Sequence, residues 1–156
     1  MDPATGTGAD LAAVERLQRR YGDVVTRRAW SELADLFEPT CPIHLDLRGG
    51  RTVDLVGAGD LATMLTGALE RFELFVFTIL NSTVEVDHGG AREAIGRVYI
   101  RELRQDRDGV WSEAVGVYRD RYRHDGRCWR YAARDYATIA RTSRTDVTYE
   151  VFEVPT

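Results

Sequence analysis

Between Ala91 and Ala137 the chain alternates. AREAIGRVYIREL, WSEAVGVYRDRYR and CWRYAARDYA each keep one class of residue on even positions and another on odd ones. That is the period of a half-buried antiparallel strand, and it predicts a three-stranded meander. Asp106-Arg107-Asp108-Gly109 and His124-Asp125-Gly126-Arg127 suit hairpin turns, with Gly109 and Gly126 free to take positive φ. One face carries Ala94, Gly96, Val98 and Ile100, then Ala114, Gly116, Tyr118, Asp120 and Tyr122, then Trp129, Tyr131 and Ala133. The other carries Arg97, Tyr99, Arg101, Glu113, Arg119, Arg121, Arg123, Arg130 and Arg134, and is expected to be wet or to meet a partner.

Upstream the period changes. Leu11, Val14, Leu17, Tyr21, Val24 and Val25 recur at steps of three and four, predicting a helix capped by Asp10, with Glu15, Gln18, Arg19 and Arg20 off its stripe. Trp30, Leu33, Ala34 and Phe37 predict a second, shorter helix ended by Pro39. Cys41 to Leu47 and TVDLVG, joined by Arg48-Gly49-Gly50-Arg51, predict a small hairpin, and Gly59-Asp60 opens a third helix through Leu61, Met64, Leu65, Ala68 and Leu69. FELFVFTILNSTVEVD is dense in β-branched and aromatic residues and is expected to be a long strand ended by His88-Gly89-Gly90. Residues 1–9 are expected to be a disordered tail, residues 10–140 one domain, and residues 141–156, which include VTYEVFEV, a C-terminal strand or arm. The order implies an α+β fold: a cone-shaped, curved antiparallel sheet covered by three N-terminal helices, with a pocket at its mouth.

Composition narrows the function. At 156 residues, 44% hydrophobic and 29% charged, the chain suits one core. No apolar run is long enough to span a membrane and the first residues lack a basic, apolar leader, so a cytoplasmic protein is expected. Cys41 and Cys128 make neither a disulfide framework nor a metal site, and no cofactor or metal is expected. All 21 basic residues are arginine, interleaved with acids at a net charge of −4, which argues against nucleic acid as a partner.

The opening LQRRYGDVV…WSELADLF, the strand FTILNSTVEVD and the run GVYRDRYRHDGRCWRYAAR resemble the nuclear-transport-factor-2-like superfamily over roughly Asp10 to Ile139. Within it they resemble the SnoaL-like group, which includes polyketide cyclases and relatives of scytalone dehydratase and ketosteroid isomerase. The resemblance implies the cone fold, a small hydrophobic partner and, often, a homodimer through the outer sheet face, here Tyr99, Val115 and Val117. The dehydratase-like members carry an Asp five residues after the first-helix Tyr, and a His four residues before an Asn on the long strand. Here Tyr21 is kept, but Thr26 and Phe77 stand in those two places, with Asn81 as the Asn. A dehydratase needs both a base and an acid, so that mechanism does not carry over.

Other groups remain. Asp120 shares a face with Tyr118 and Tyr122, where burial would suit it to acid–base work, or it accepts hydrogen bonds and only fixes the packing. Tyr21 and Tyr118 are candidate donors to an oxygen that gains charge. His44, with Asp46 and Asp54 nearby, is either a proton shuttle or part of an exposed polar face. Phe77, Trp129 and Tyr131, with Phe72, Phe75 and Tyr118, line a cavity or fill a core. Arg97 and Arg101 fall on the face opposite Asp120. The expected function is a cofactor-independent lyase, isomerase or cyclase acting on a small hydrophobic ring such as a polyketide or steroid. The alternative is a binding or dimerisation module without chemistry.

Overall fold

The computed structural model describes residues 3–87 and 92–142, with side chains from residue 8 onward. Its elements are α1 (Pro3–Arg27), the 3-10 helix η1 (Trp30–Asp35), β1 (Pro42–Asp46), β2 (Thr52–Val56), α2 (Gly57–Leu69), β3 (Phe72–Val86), β4 (Glu93–Asp106), β5 (Trp111–His124) and β6 (Trp129–Arg141). The expected α+β fold is present: a curved, unclosed six-stranded sheet in the order β2-β1-β6-β5-β4-β3, with helices against it. Neighbouring strands are antiparallel except β1 and β6, which run parallel. The turn at His88 and the segment VTYEVFEV lie outside the described residues.

The helical stripe packs as expected. Val14, Leu17, Tyr21, Val24 and Val25 are buried and join the sheet's inner residues in one core. Two details differ. The first helix begins at Pro3 rather than at Asp10, whose carboxylate accepts instead from the Trp129 indole at 3.0 Å and from Arg92 at 3.2 Å. Gln18, expected off the stripe, is buried, because it lies four residues after Val14 and three before Tyr21, which is the stripe's own spacing. The second helix is a single 3-10 segment that buries Leu33. Gly109 and Gly126 take φ of 81° and 97°, as the hairpin turns require.

Four extra residues shape the sheet. β4 and β5 keep strict alternation, but β3 carries unpaired residues at Glu73 and Leu80, and β6 at Ala132 and Ile139. Each such bulge inverts which side chains face inward beyond it. On β3 the inward set changes from Phe75, Phe77 and Ile79 to Ser82, Val84 and Val86. On β6 it changes from Trp129 and Tyr131 to Arg134, Tyr136 and Thr138. Arg134 is therefore buried, against the expectation from unbroken alternation that it faces outward.

Among the described residues no helix is long and apolar enough to cross a membrane. No group of three or more His, Cys, Asp or Glu residues among them is placed to hold a metal ion.

Candidate functional site

Inside the cone, between α2 and the inner sheet face, lies a cavity of about 190 Å³. Its depth is set by burial: Tyr21, Tyr118 and Arg134 are buried, whereas Arg51, Arg71 and Arg141 at its rim are exposed. Phe72, Phe75 and Phe77 from β3 form one wall, with Leu61, Met64 and Leu65 from α2 beside them. Glu102, Arg104 and Tyr136 form another.

Arg134 dominates the floor. Its Nε and Nη2 donate to the two oxygens of Asp120 at 2.9 and 2.8 Å, with side chains only 2% and 0% exposed. Its guanidinium carbon lies 4.0 Å from the ring centre of Tyr118 and 4.2 Å from those of Tyr21 and Tyr131. Cation–π contact adds to the carboxylate's pull, and counts for more because both charged side chains are almost fully buried. Burial acts to lower the Arg134 pKa, but Asp120 and the surrounding tyrosines raise it well above the ordinary value, so the group stays charged. Nη1 and the Tyr131 hydroxyl have no hydrogen-bond partner among the described residues.

Behind the floor runs a chain of polar groups. Tyr122 donates to Asp120 at 3.2 Å, Gln18 donates to the Tyr122 hydroxyl at 2.9 Å, and Ser82 donates to the Gln18 carbonyl at 2.6 Å. Both Asp120 oxygens are thus engaged, and the residue does not line the interior cavity. Its inward direction was expected, and both of its oxygens accept from Arg134. Burial raises the pKa of Tyr21, partly offset by Arg134, and raises Tyr118 further, so both remain neutral hydroxyls at ordinary pH.

Glu102 is the carboxylate in the cavity wall. Arg104 donates to its Oε2 from Nε at 3.1 Å and from Nη2, while Oε1 bonds no described residue. Glu102 sits directly across from Phe77 in the β3–β4 register. Its signal was legible, since the even parity of Val98 and Ile100 continues to it. Arg134 was hidden by the bulge.

The remaining candidates scatter. Thr26 accepts a hydrogen bond from the Phe77 amide at 3.1 Å, so these two positions do meet, and the Phe77 ring stands edge-on to Tyr21 at 5.5 Å. Tyr131 lies under Arg134 and stacks on Phe37 at 4.6 Å. Trp129 is buried against His124, away from the cavity. Asn81 is exposed and faces the sheet's other side opposite Tyr99, because the bulge at Leu80 turns Ser82 inward in its place. His44 also lies on the outer face, 2.6 Å from Asp54, which raises its pKa. That outer face holds a larger groove of about 930 Å³. It is open, and across it His44 pairs with Asp54 at 2.6 Å and Arg119 with Asp135 at 2.9 Å, with Asp120 and Arg134 also on its border.

A family model of the SnoaL-like domain matches residues 7–135. Among solved structures, a candidate scytalone dehydratase from Novosphingobium aromaticivorans is similar at 20% identity and a TM-score of 0.73, over 95% of this chain and 93% of that one. LinA is similar at 16% identity and a TM-score of 0.77, over 96% and 99%. A hexachlorocyclohexane dehydrochlorinase, LinA-type3 from Novosphingobium barchaimii, is similar at 15% identity and a TM-score of 0.72, over 92% and 95%. Comparison with curated proteins finds no match.

Proposed function

Starting from a chain that belongs to the family of SnoaL-like domains, a small-molecule-processing family, we propose that it is a cofactor-independent lyase or isomerase moving a proton on a small hydrophobic ring compound. Tyr21, Tyr118 and Arg134 take an acceptor oxygen of the substrate, and Glu102 is the base. The observation that carries this is one cavity holding both a carboxylate with a free oxygen and a floor of neutral hydroxyls beside a fixed cation. Such a floor favours charge that develops on an oxygen during proton removal. Tyr21, Tyr118 and Arg134 are buried, and burial disfavours a preformed anion there, so the acceptor is a neutral carbonyl or its equivalent.

Size refines the substrate. A volume of about 190 Å³ exceeds the roughly 150 Å³ that admits a benzene but falls short of the roughly 300 Å³ where drug-sized sites begin. One ring or a fused pair is enclosed; a steroid is not. In this account Asp120 is a positioning residue for Arg134. The proposal includes a homodimer through the outer sheet face, where Val56 and Ile95 stand 56% and 55% exposed beside the large groove.

Thr26 and Phe77 favour a second reading, a binding module without turnover, because their contact leaves neither an acid nor a base at the two positions where dehydratase-like members carry them. Incubation with cyclic ketones in D2O separates the two. NMR is expected to show ring C–H exchange with the wild type, and with Glu102→Gln to show saturation-transfer binding without exchange. Binding with no exchange by the wild type favours the binding module, and an absence of binding overturns both.

A further inference from the structure

The rim of the interior cavity bears on what its ligand carries, an inference that rests on reading that cavity as a small-molecule site. Four arginines line it toward the surface, in two pairs. At one side Arg141 donates from Nη1 to the Leu47 carbonyl at 2.9 Å, and the Leu47 amide donates to the Arg51 carbonyl at 2.9 Å, so Arg51 and Arg141 meet at the β1–β2 turn. At the other side Arg71 and Arg104 both approach the Phe72 ring, their guanidinium carbons 4.7 and 5.5 Å from its centre.

Among the acids of the described residues only Glu102 lines the cavity, and Arg104 holds it. No carboxylate of a described residue forms an ion pair with Arg51, Arg71 or Arg141. Glu70 and Glu73 flank Arg71 in sequence but do not line the cavity. Arg134 adds no net charge, because Asp120 neutralises it. Counted over the described residues, the mouth is therefore positive in a chain whose net charge is −4, a reversal that concentrates anions at the entrance. The rim groups are also available: stacking on Phe72 occupies one guanidinium face of Arg71 and leaves its N–H edge free, and Arg141 spends only Nη1 on the backbone.

We propose that the ligand is a ring compound with a carboxylate on a short tether. The apolar ring is enclosed toward Tyr21 and Tyr118, and the carboxylate stays at the mouth between Arg51, Arg71 and Arg141. The raised pKa values of the deep tyrosines argue for this polarity, since the anion belongs where water still reaches it. Planar N–H pairs suit a carboxylate in two-point contact.

The test compares 3-phenylpropanoate with 3-phenylpropanamide by calorimetry or ligand-observed NMR, at low and at raised salt. Two exposed arginine–carboxylate pairs give on the order of a tenfold gain for the acid. That gain is expected to shrink as salt rises and to fall within about twofold in the Arg71→Gln/Arg141→Gln variant, with amide affinity unchanged. Arg19→Gln, on the outer side of α1, is expected to change neither. Equal affinity of acid and amide for the wild type, or an acid preference that survives in the double variant, overturns this inference and leaves the cavity reading standing. If neither compound binds, the cavity reading falls and the inference falls with it.

Discussion

β5 and β6 lie side by side and contribute the two halves of one buried ion pair, yet only β5 keeps its alternation from end to end. On β5, Tyr118, Asp120 and Tyr122 all face inward, as a period of two requires. On β6 an extra residue at Ala132 inverts the pattern and carries Arg134 from the wet face into the core. The straight strand supplies an acceptor at a readable place, and the bulged strand supplies the cation that decides what the acceptor does. A buried pair of this kind is not a source of net stability. An attraction of about 4 kcal/mol at an effective dielectric of 20 is set against a desolvation penalty of several kcal/mol for each ion. Its presence therefore points to the cavity floor rather than to the stability of the fold.

The largest expected effect comes from separating the two halves. Arg134→Met leaves Asp120 charged and buried with no cation, and urea unfolding is expected to show a loss of about 3–5 kcal/mol. The Asp120→Leu/Arg134→Met pair is expected to recover most of it. A single variant within about 1 kcal/mol of wild type would mean that Arg134 faces outward, as unbroken alternation predicts.

The next effect probes the straight strand. Gly116 on β5 faces Tyr136 on β6 so closely that an added Cβ would collide with the ring. Gly116→Ala is expected to cost about 1–3 kcal/mol through overpacking, and less when made in a Tyr136→Ala background. Equal costs in the two backgrounds would place the strain elsewhere.

The smallest effect lies on the outer face of the regular β1–β2 pair, where His44 and Asp54 are register partners. Asp54 raises the His44 pKa, so the folded value lies above an unfolded value of about 6.5. The contribution to stability is then fully present below pH of about 6.5 and is lost as pH rises through the folded pKa. An NMR titration of His44 is expected to give a value above 6.5 in the wild type and a lower one in Asp54→Asn. No difference between the two proteins would show that the contact does not persist in solution.

What was legible in the sequence follows the same division. The stripe of α1, the two glycine turns, the inward direction of Asp120 and the fold class rest on unbroken periods, and each is present in the structure. Arg134 was misplaced because AAR contains no glycine or proline to mark Ala132 as the extra residue, and TILN likewise hides the bulge at Leu80 that leaves Asn81 on the outer face. Since side chains alternate with a period of two, one unmarked insertion reverses every later assignment. Glu102 needed only that the parity of Ile100 be followed one step further. The parallel β1–β6 pairing had no local signal, because it depends on how α1, η1 and α2 carry the chain across the sheet.

Whether Arg134 sits on Asp120 at the floor of the interior cavity is read by side-chain 15N–1H NMR of the arginines. An Nε–H signal, assigned through Arg134→Met, is expected to exchange slowly with solvent, to be lost in Asp120→Ala and to shift when a small ring compound binds. An Arg134 signal that exchanges as fast as those of the surface arginines and ignores both Asp120→Ala and bound ligand would contradict it.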